Sequence, residues 1–161
     1  MKATLRVILI LTAVFAAGIA RAEYTTRPQS AVSLDMVLAD AHRVAELRPG
    51  SQVMCIEGKS MLPYFGEGSV VVVKKIDPAK LRAGMVVVYT NRFGETVAHR
   101  LINVSECGWV VQGYNNRESD STLVNASNLI GVVYATFHSN GVTGLASTLS
   151  AVPSAMAAPA R

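Results

Sequence analysis

The chain has 161 residues, half of them hydrophobic, with 15 Lys and Arg against 11 Asp and Glu. That length suits one domain with a proper core. The positive excess is local: Lys2, Arg6 and Arg21 lie within the first 22 residues, and without them twelve basic residues face eleven acidic ones, which excludes a nucleic-acid partner recruited by bulk charge.

Residues 1–22 have the layout of a secretory signal peptide. Lys2 and Arg6 give a positive start, residues 7–20 form an uncharged apolar run, and Ala20-Arg21-Ala22 is a small-x-small cleavage site. The run is short for a membrane span, which needs about 20 residues. The expectation is an exported chain, periplasmic or otherwise extracytoplasmic, beginning at Glu23. The alternative is an uncleaved leader that anchors the domain to the membrane.

Residues 23–31, with Pro28, read as a flexible polar linker. Ser33 is a good N-cap, and Leu34, Val37, Leu38, Ala41, Val44 and Ala45 recur at helical spacing. The helix should end near Leu47, ahead of Pro49-Gly50, and pack its stripe on the domain, with His42 half-exposed beside it. From residue 51 the texture changes to strands. Residues 53–56, 70–74, 85–89, 96–104, 109–112 and 129–137 are rich in Val, Ile, Tyr and Thr. Asn91-Arg92-Phe93-Gly94 predicts a hairpin, while Gly66, Gly68, Gly84 and Asp77-Pro78 mark turns. One leading helix and six or more strands predict a mostly β domain over residues 51–138, barrel-like or folded into sheets. The tail, residues 139–161, is uncharged up to Ala160 and interrupted by Gly and Pro, so a loosely ordered segment is expected there and not a span. Cys55 and Cys107 have no metal-ligand spacing, and His42, His99 and His138 lie far apart, so neither a metal nor another cofactor is expected. Export permits a Cys55–Cys107 disulfide; two buried free thiols are the other reading.

Chemistry enters at Ile56-Glu57-Gly58-Lys59-Ser60-Met61-Leu62-Pro63. Gly58 breaks the apolar run and Pro63 fixes the exit, which aims Ser60 from a turn at the end of a rigid strand. A serine hydroxyl is inert unless a base takes its proton. His99, inside Thr96-Val97-Ala98-His99-Arg100-Leu101-Ile102, and Asp120, after the polar stretch 113–119, are the candidates to complete such a site. Taken singly, each has an ordinary structural reading as a turn serine, a strand histidine or a turn aspartate.

Together they resemble a family. Gly58-Lys59-Ser60-Met61-Leu62-Pro63 is similar to the Gly-x-Ser-Met-x-Pro nucleophile box of type I signal peptidases, a version of which self-cleaving SOS-type repressors share. The valines after Gly68 and the stretch from Leu81 to Val88 resemble the next two blocks. Val97-Ala98-His99-Arg100-Leu101-Ile102 resembles the His-Arg block of the archaeal and endoplasmic-reticulum branch, where bacterial members more commonly carry lysine. Gly113 to Asp120 resembles the last block, and the order of blocks holds from about residue 51 to 137.

The resemblance implies a signal-peptidase-like fold and a serine endopeptidase: Ser60 as nucleophile, His99 as base, Asp120 orienting the ring, and backbone N–H groups around Ser60 as the oxyanion hole. It implies a protein or peptide substrate with small residues one and three positions before the scissile bond. Gly58 stands where bacterial members can add a serine hydroxyl. Arg100 should point to the face opposite His99 and act structurally. Lys74 and Lys75 are the nearest lysines, in the valine strand. The family repeats Gly-Asp at three turns that here read Gly68-Ser69, Gly84-Met85 and Gly113-Tyr114. The rival expectation is therefore a catalytically degenerate binding or assembly module with the same fold. A repressor reading fails, because a leader and one helix leave no room for a DNA-binding domain.

Overall fold

The computed structural model describes residues 24–140. The leader, the expected new N-terminus at Glu23 and the tail from residue 141 onward lie outside the described residues.

Helix α1 spans Leu34–Glu46, with Ser33 as N-cap accepting from the Met36 N–H and Leu47 as C-cap. Val37 and Ala41 are buried, and with Leu34, Leu38, Val44 and Ala45 they pack on Val70 and Val72, joined by Val53, Ala135 and Phe137. His42 is exposed. Six strands follow: β1 (Ser51–Cys55), β2 (Ser69–Lys74), β3 (Val86–Thr90), β4 (Thr96–Ser105), β5 (Gly108–Gln112) and β6 (Leu129–His138). They form one sheet in the order β1-β2-β6-β3-β4-β5, and every neighbouring pair is antiparallel. β3 and β4 are joined by the expected hairpin, closed by Asn91 N–H to Glu95 and Gly94 N–H to Asn91.

The sheet is open, which corrects the barrel-like form of the expectation and agrees with the alternative of a folded sheet. Its outer strands are β1 and β5. The outer side of β5 is occupied by the returning chain, where Asp120 N–H donates to Val111 O and Val124 forms a bridge with Trp109. That segment takes the hydrogen-bonding groups through which β5 would have to meet β1.

β2 explains itself from sequence. Val70, Val71, Val72 and Val73 are all buried, alternating between two apolar layers. Val70 and Val72 face α1, while Val71 and Val73 join Val88 in a second cluster reached by Met54, Ile56, Ala98 and Val133. A strand covered on both faces reads as an unbroken apolar run instead of an alternating one. Each buried valine contributes on the order of 1.5–3 kcal/mol. The third cluster, Leu81, Val87, Tyr89, Leu101, Val111 and Val124, fills the β3–β5 end and supports the face that carries His99.

Residues 24–33 are fastened and do not hang as the flexible linker expected of them. The Arg27 guanidinium donates to the carbonyls of Glu67 and Ser139, and Ser30 Oγ donates to His138 O. Cys55 and Cys107 are both free and exposed, so they are neither a disulfide nor a buried pair. No helix of the described residues is long and apolar enough to cross a membrane.

Candidate active site

The β3–β4 register sets His99 opposite Val87 and Tyr89 opposite Val97. Alternation along each strand puts Tyr89 and His99 on one face as diagonal neighbours. Asp120 reaches the same face from outside the sheet, its backbone fixed by Val111 O on β5. The three side chains meet. His99 Nδ1 lies 2.6 Å from Asp120 Oδ2, and the Tyr89 hydroxyl donates to that same oxygen. The Tyr89 oxygen is 3.5 Å from His99 Nδ1.

A carboxylate oxygen only accepts, so Nδ1 carries the ring proton and Nε2 is the basic nitrogen of the neutral ring. The His99 side chain is only 7% exposed and Asp120 18%. His99 Nε2 is buried and has no hydrogen-bond partner. A buried polar atom left in that condition calls for an explanation. Burial, reinforced by the hydrogen bond to Asp120 and its charge, pushes the Tyr89 phenol well above its ordinary value. It therefore stays protonated, as a donor, across the working pH range.

Ser60 opens the turn between β1 and β2. The turn is closed by Leu62 N–H to Lys59 O and by Tyr64 and Phe65 N–H to Met61 O, which leaves the N–H groups of Ser60 and Met61 outside its own hydrogen bonds. Gly58 sits at φ +79°, a conformation that a serine would hold only under strain.

The loop after β5 joins the two halves of the site. Asn115 N–H donates to Ser60 O at 2.8 Å, and five residues later the same loop delivers Asp120 to His99. Gly113 makes the approach fit, since a Cβ there would come within 2.5 Å of Ser60 O. The structure thus brings His99 and Asp120 into direct contact and ties Ser60 to their loop through its backbone. It does not set Ser60 Oγ on His99 Nε2, which is unpartnered. Apo catalytic contacts are commonly looser than those in a substrate complex.

No protein-family model matches the chain, and no curated protein matches it.

The other residues singled out by sequence fall into place. Arg100 points away from His99 and stacks its guanidinium over the Tyr114 ring at 4.3 Å. Tyr114 in turn lies 4.3 Å from the Tyr64 ring. The residue standing where the resemblance expects aspartate is thus engaged with Arg100 and Tyr64, while Asp120 serves His99. Lys74 is exposed at the far end of β2, five residues beyond the Ser69 end near the Ser60 turn, or about 17 Å along the strand. A groove of about 400 Å³ begins beyond that turn, bounded by Tyr64, Phe65, Val86, Tyr114, Tyr134 and Thr136. Among the described residues no three His, Cys, Asp or Glu side chains gather into a metal site.

Sequence reading passed over Tyr89 and Asn115. The first could have been found by counting back from the 91–94 hairpin, which puts it on the face of His99. For the second, the only signal was membership of the Gly113–Asp120 block.

Proposed function

We propose that the chain is a serine endopeptidase of the signal-peptidase type, exported, and cleaving after small residues in peptides of the Ala-x-Ala kind. The observation that carries this reading is the His99 ring. It is held at Nδ1 by Asp120, its Nε2 is buried and unpaired, and the loop that holds it also hydrogen-bonds the Ser60 turn.

In this mechanism Ser60 Oγ attacks the scissile carbonyl and passes its proton to His99 Nε2. Asp120 steadies the imidazolium. The uncommitted N–H groups of Ser60 and Met61 are placed to receive the oxyanion. His99 then returns the proton to the departing amine, and water repeats the sequence on the acyl-enzyme. A protein released from its leader would serve a specialised substrate rather than leaders at large.

The test is mass spectrometry of an Ala-x-Ala leader peptide incubated with the full chain, its Ser60→Ala variant and its His99→Ala variant. Both substitutions should lower kcat/KM by about 10³-fold or more with the fold retained. The second reading, a non-catalytic module, is favoured by Nε2 standing free of Ser60 Oγ; equal cleavage by wild type and Ser60→Ala would remove Ser60 from the mechanism, and a folded wild type that cuts no peptide would establish the module.

A further inference from the structure

Asn115 touches both the Ser60 turn and the first described residue. Its N–H donates to Ser60 O at 2.8 Å and its Nδ2 lies 3.3 Å from Lys59 O. The same side chain holds Tyr24 by both backbone groups. Oδ1 accepts the Tyr24 N–H at 2.8 Å, and Nδ2 donates to the Tyr24 carbonyl at 2.9 Å. A paired donor and acceptor of this kind fixes a residue by its main chain alone, whatever its side chain. Downstream the segment is fastened again, by Arg27 to Glu67 O and Ser139 O and by Ser30 to His138 O. The N-terminal segment therefore runs as a strap from the Ser60 turn to the end of β6.

Ala22 stands two residues before Tyr24 and ends Ala20-Arg21-Ala22. In sequence, only Glu23 separates the Ala22–Glu23 bond from the pinned Tyr24. The two alanines occupy the first and third positions before that bond, where the proposed specificity requires small residues. We propose that the chain removes its own leader, Ser60 cleaving the Ala22–Glu23 bond in cis while Asn115 holds Tyr24 as the second residue on the leaving side. This rests on the endopeptidase reading above and names its first substrate.

The step balances without a further co-reactant beyond water. Ser60 Oγ bonds to the Ala22 carbonyl carbon, and the Ala22–Glu23 amide bond breaks. The serine proton travels through His99 Nε2 to the Glu23 nitrogen, which leaves as an amine. Water then hydrolyses the Ala22–Ser60 ester, restoring the hydroxyl and releasing the leader as a carboxylate. Because the strap is part of the same chain, the bond is presented at a high effective concentration. The reaction is first-order in protein.

The experiment makes the full chain by reconstituted cell-free translation in non-ionic detergent, free of any exported peptidase, and follows intact mass over time. The wild type is expected to convert from a Met1 start to a Glu23 start with a half-life unchanged across a hundredfold range of protein concentration. Ser60→Ala should keep its leader. Arg27→Ala loosens the strap away from the site and should lower the ratio of self-cleavage to cleavage of a free Ala-x-Ala peptide by about tenfold. A wild type that cuts the peptide yet keeps its leader overturns the proposal and leaves the endopeptidase reading standing. A half-life that shortens in proportion to protein concentration, or an unchanged ratio in Arg27→Ala, overturns the cis mechanism. A folded wild type that cuts neither substrate removes both readings.

Discussion

The most informative side chain at the site is Tyr89, because it shares one carboxylate oxygen with His99. Its ring is part of the core and its hydroxyl is part of the site, so the two roles can be separated by a single atom. Tyr89→Phe keeps the packing and deletes only the donor to Asp120. A hydrogen bond to a charged group is worth about 1.5–3 kcal/mol. Part of that loss should appear as reduced orientation of His99, about tenfold in kcat at unchanged KM, with the melting temperature moving by only a few degrees. A rise in KM with kcat preserved would show that Tyr89 shapes binding and not the base. At this scale much was legible. Ser60, His99 and Asp120 were each visible as residue types, and the structure brings His99 and Asp120 into contact. What no spacing could convey is that Ser60 reaches the pair through its backbone, at Asn115 and Gly113. A main-chain hydrogen bond leaves no trace in side-chain identity beyond one glycine.

Among the elements, α1 and the strands were expected nearly where they lie, because capping and periodicity are local properties. Ser33 caps as read, and the strand ends differ from expectation by a residue or two, which is within the fraying of any boundary. The strap was misread for an equally plain reason. A polar stretch with a proline has no apolar face to announce where it docks, and Arg27 and Ser30 hold it through carbonyls on β6 and the turn before β2. This junction carries its own pH dependence. Burial first, and then the Arg27 guanidinium, lower the His138 imidazole from its ordinary value, with Ser69 Oγ 3.4 Å from its Nδ1. A folded-state value below the unfolded one means that the unfolded chain binds the proton more readily. The associated stability is therefore present above about pH 6.5 and is lost as the pH falls. Urea midpoints at pH 7.5 and 5.5 should diverge more for the wild type than for His138→Gln. Equal slopes would assign the acid sensitivity to other groups.

For the whole molecule, composition and six β-rich runs were enough to give a mostly β domain led by one helix. They were not enough to tell an open sheet from a closed one. Closure is decided by which edge the 113–128 segment covers, a long-range choice that local pattern does not encode. Topology contains one more consequence, and it concerns time. β6, the last strand of the described residues, lies between β2 and β3, pairing with β2 over Ser69–Lys74 and with β3 through Val87–Tyr89. Until residue 138 has been synthesised, β1 with β2 and β3 with β4 and β5 are two separate hairpin-like pieces, and neither can bury Val70 to Val73 on both faces. A chain ending at residue 128 should thus give no cooperative thermal transition, whereas removal of residues 141–161 should preserve one. A sharp transition in the shorter chain would contradict this order of assembly. Loop-closure entropy must be met before such distant pairings form, so the domain completes its core only once translation has passed its final strand. Until then, the edges of β2 and β3 that β6 will fill remain unpaired.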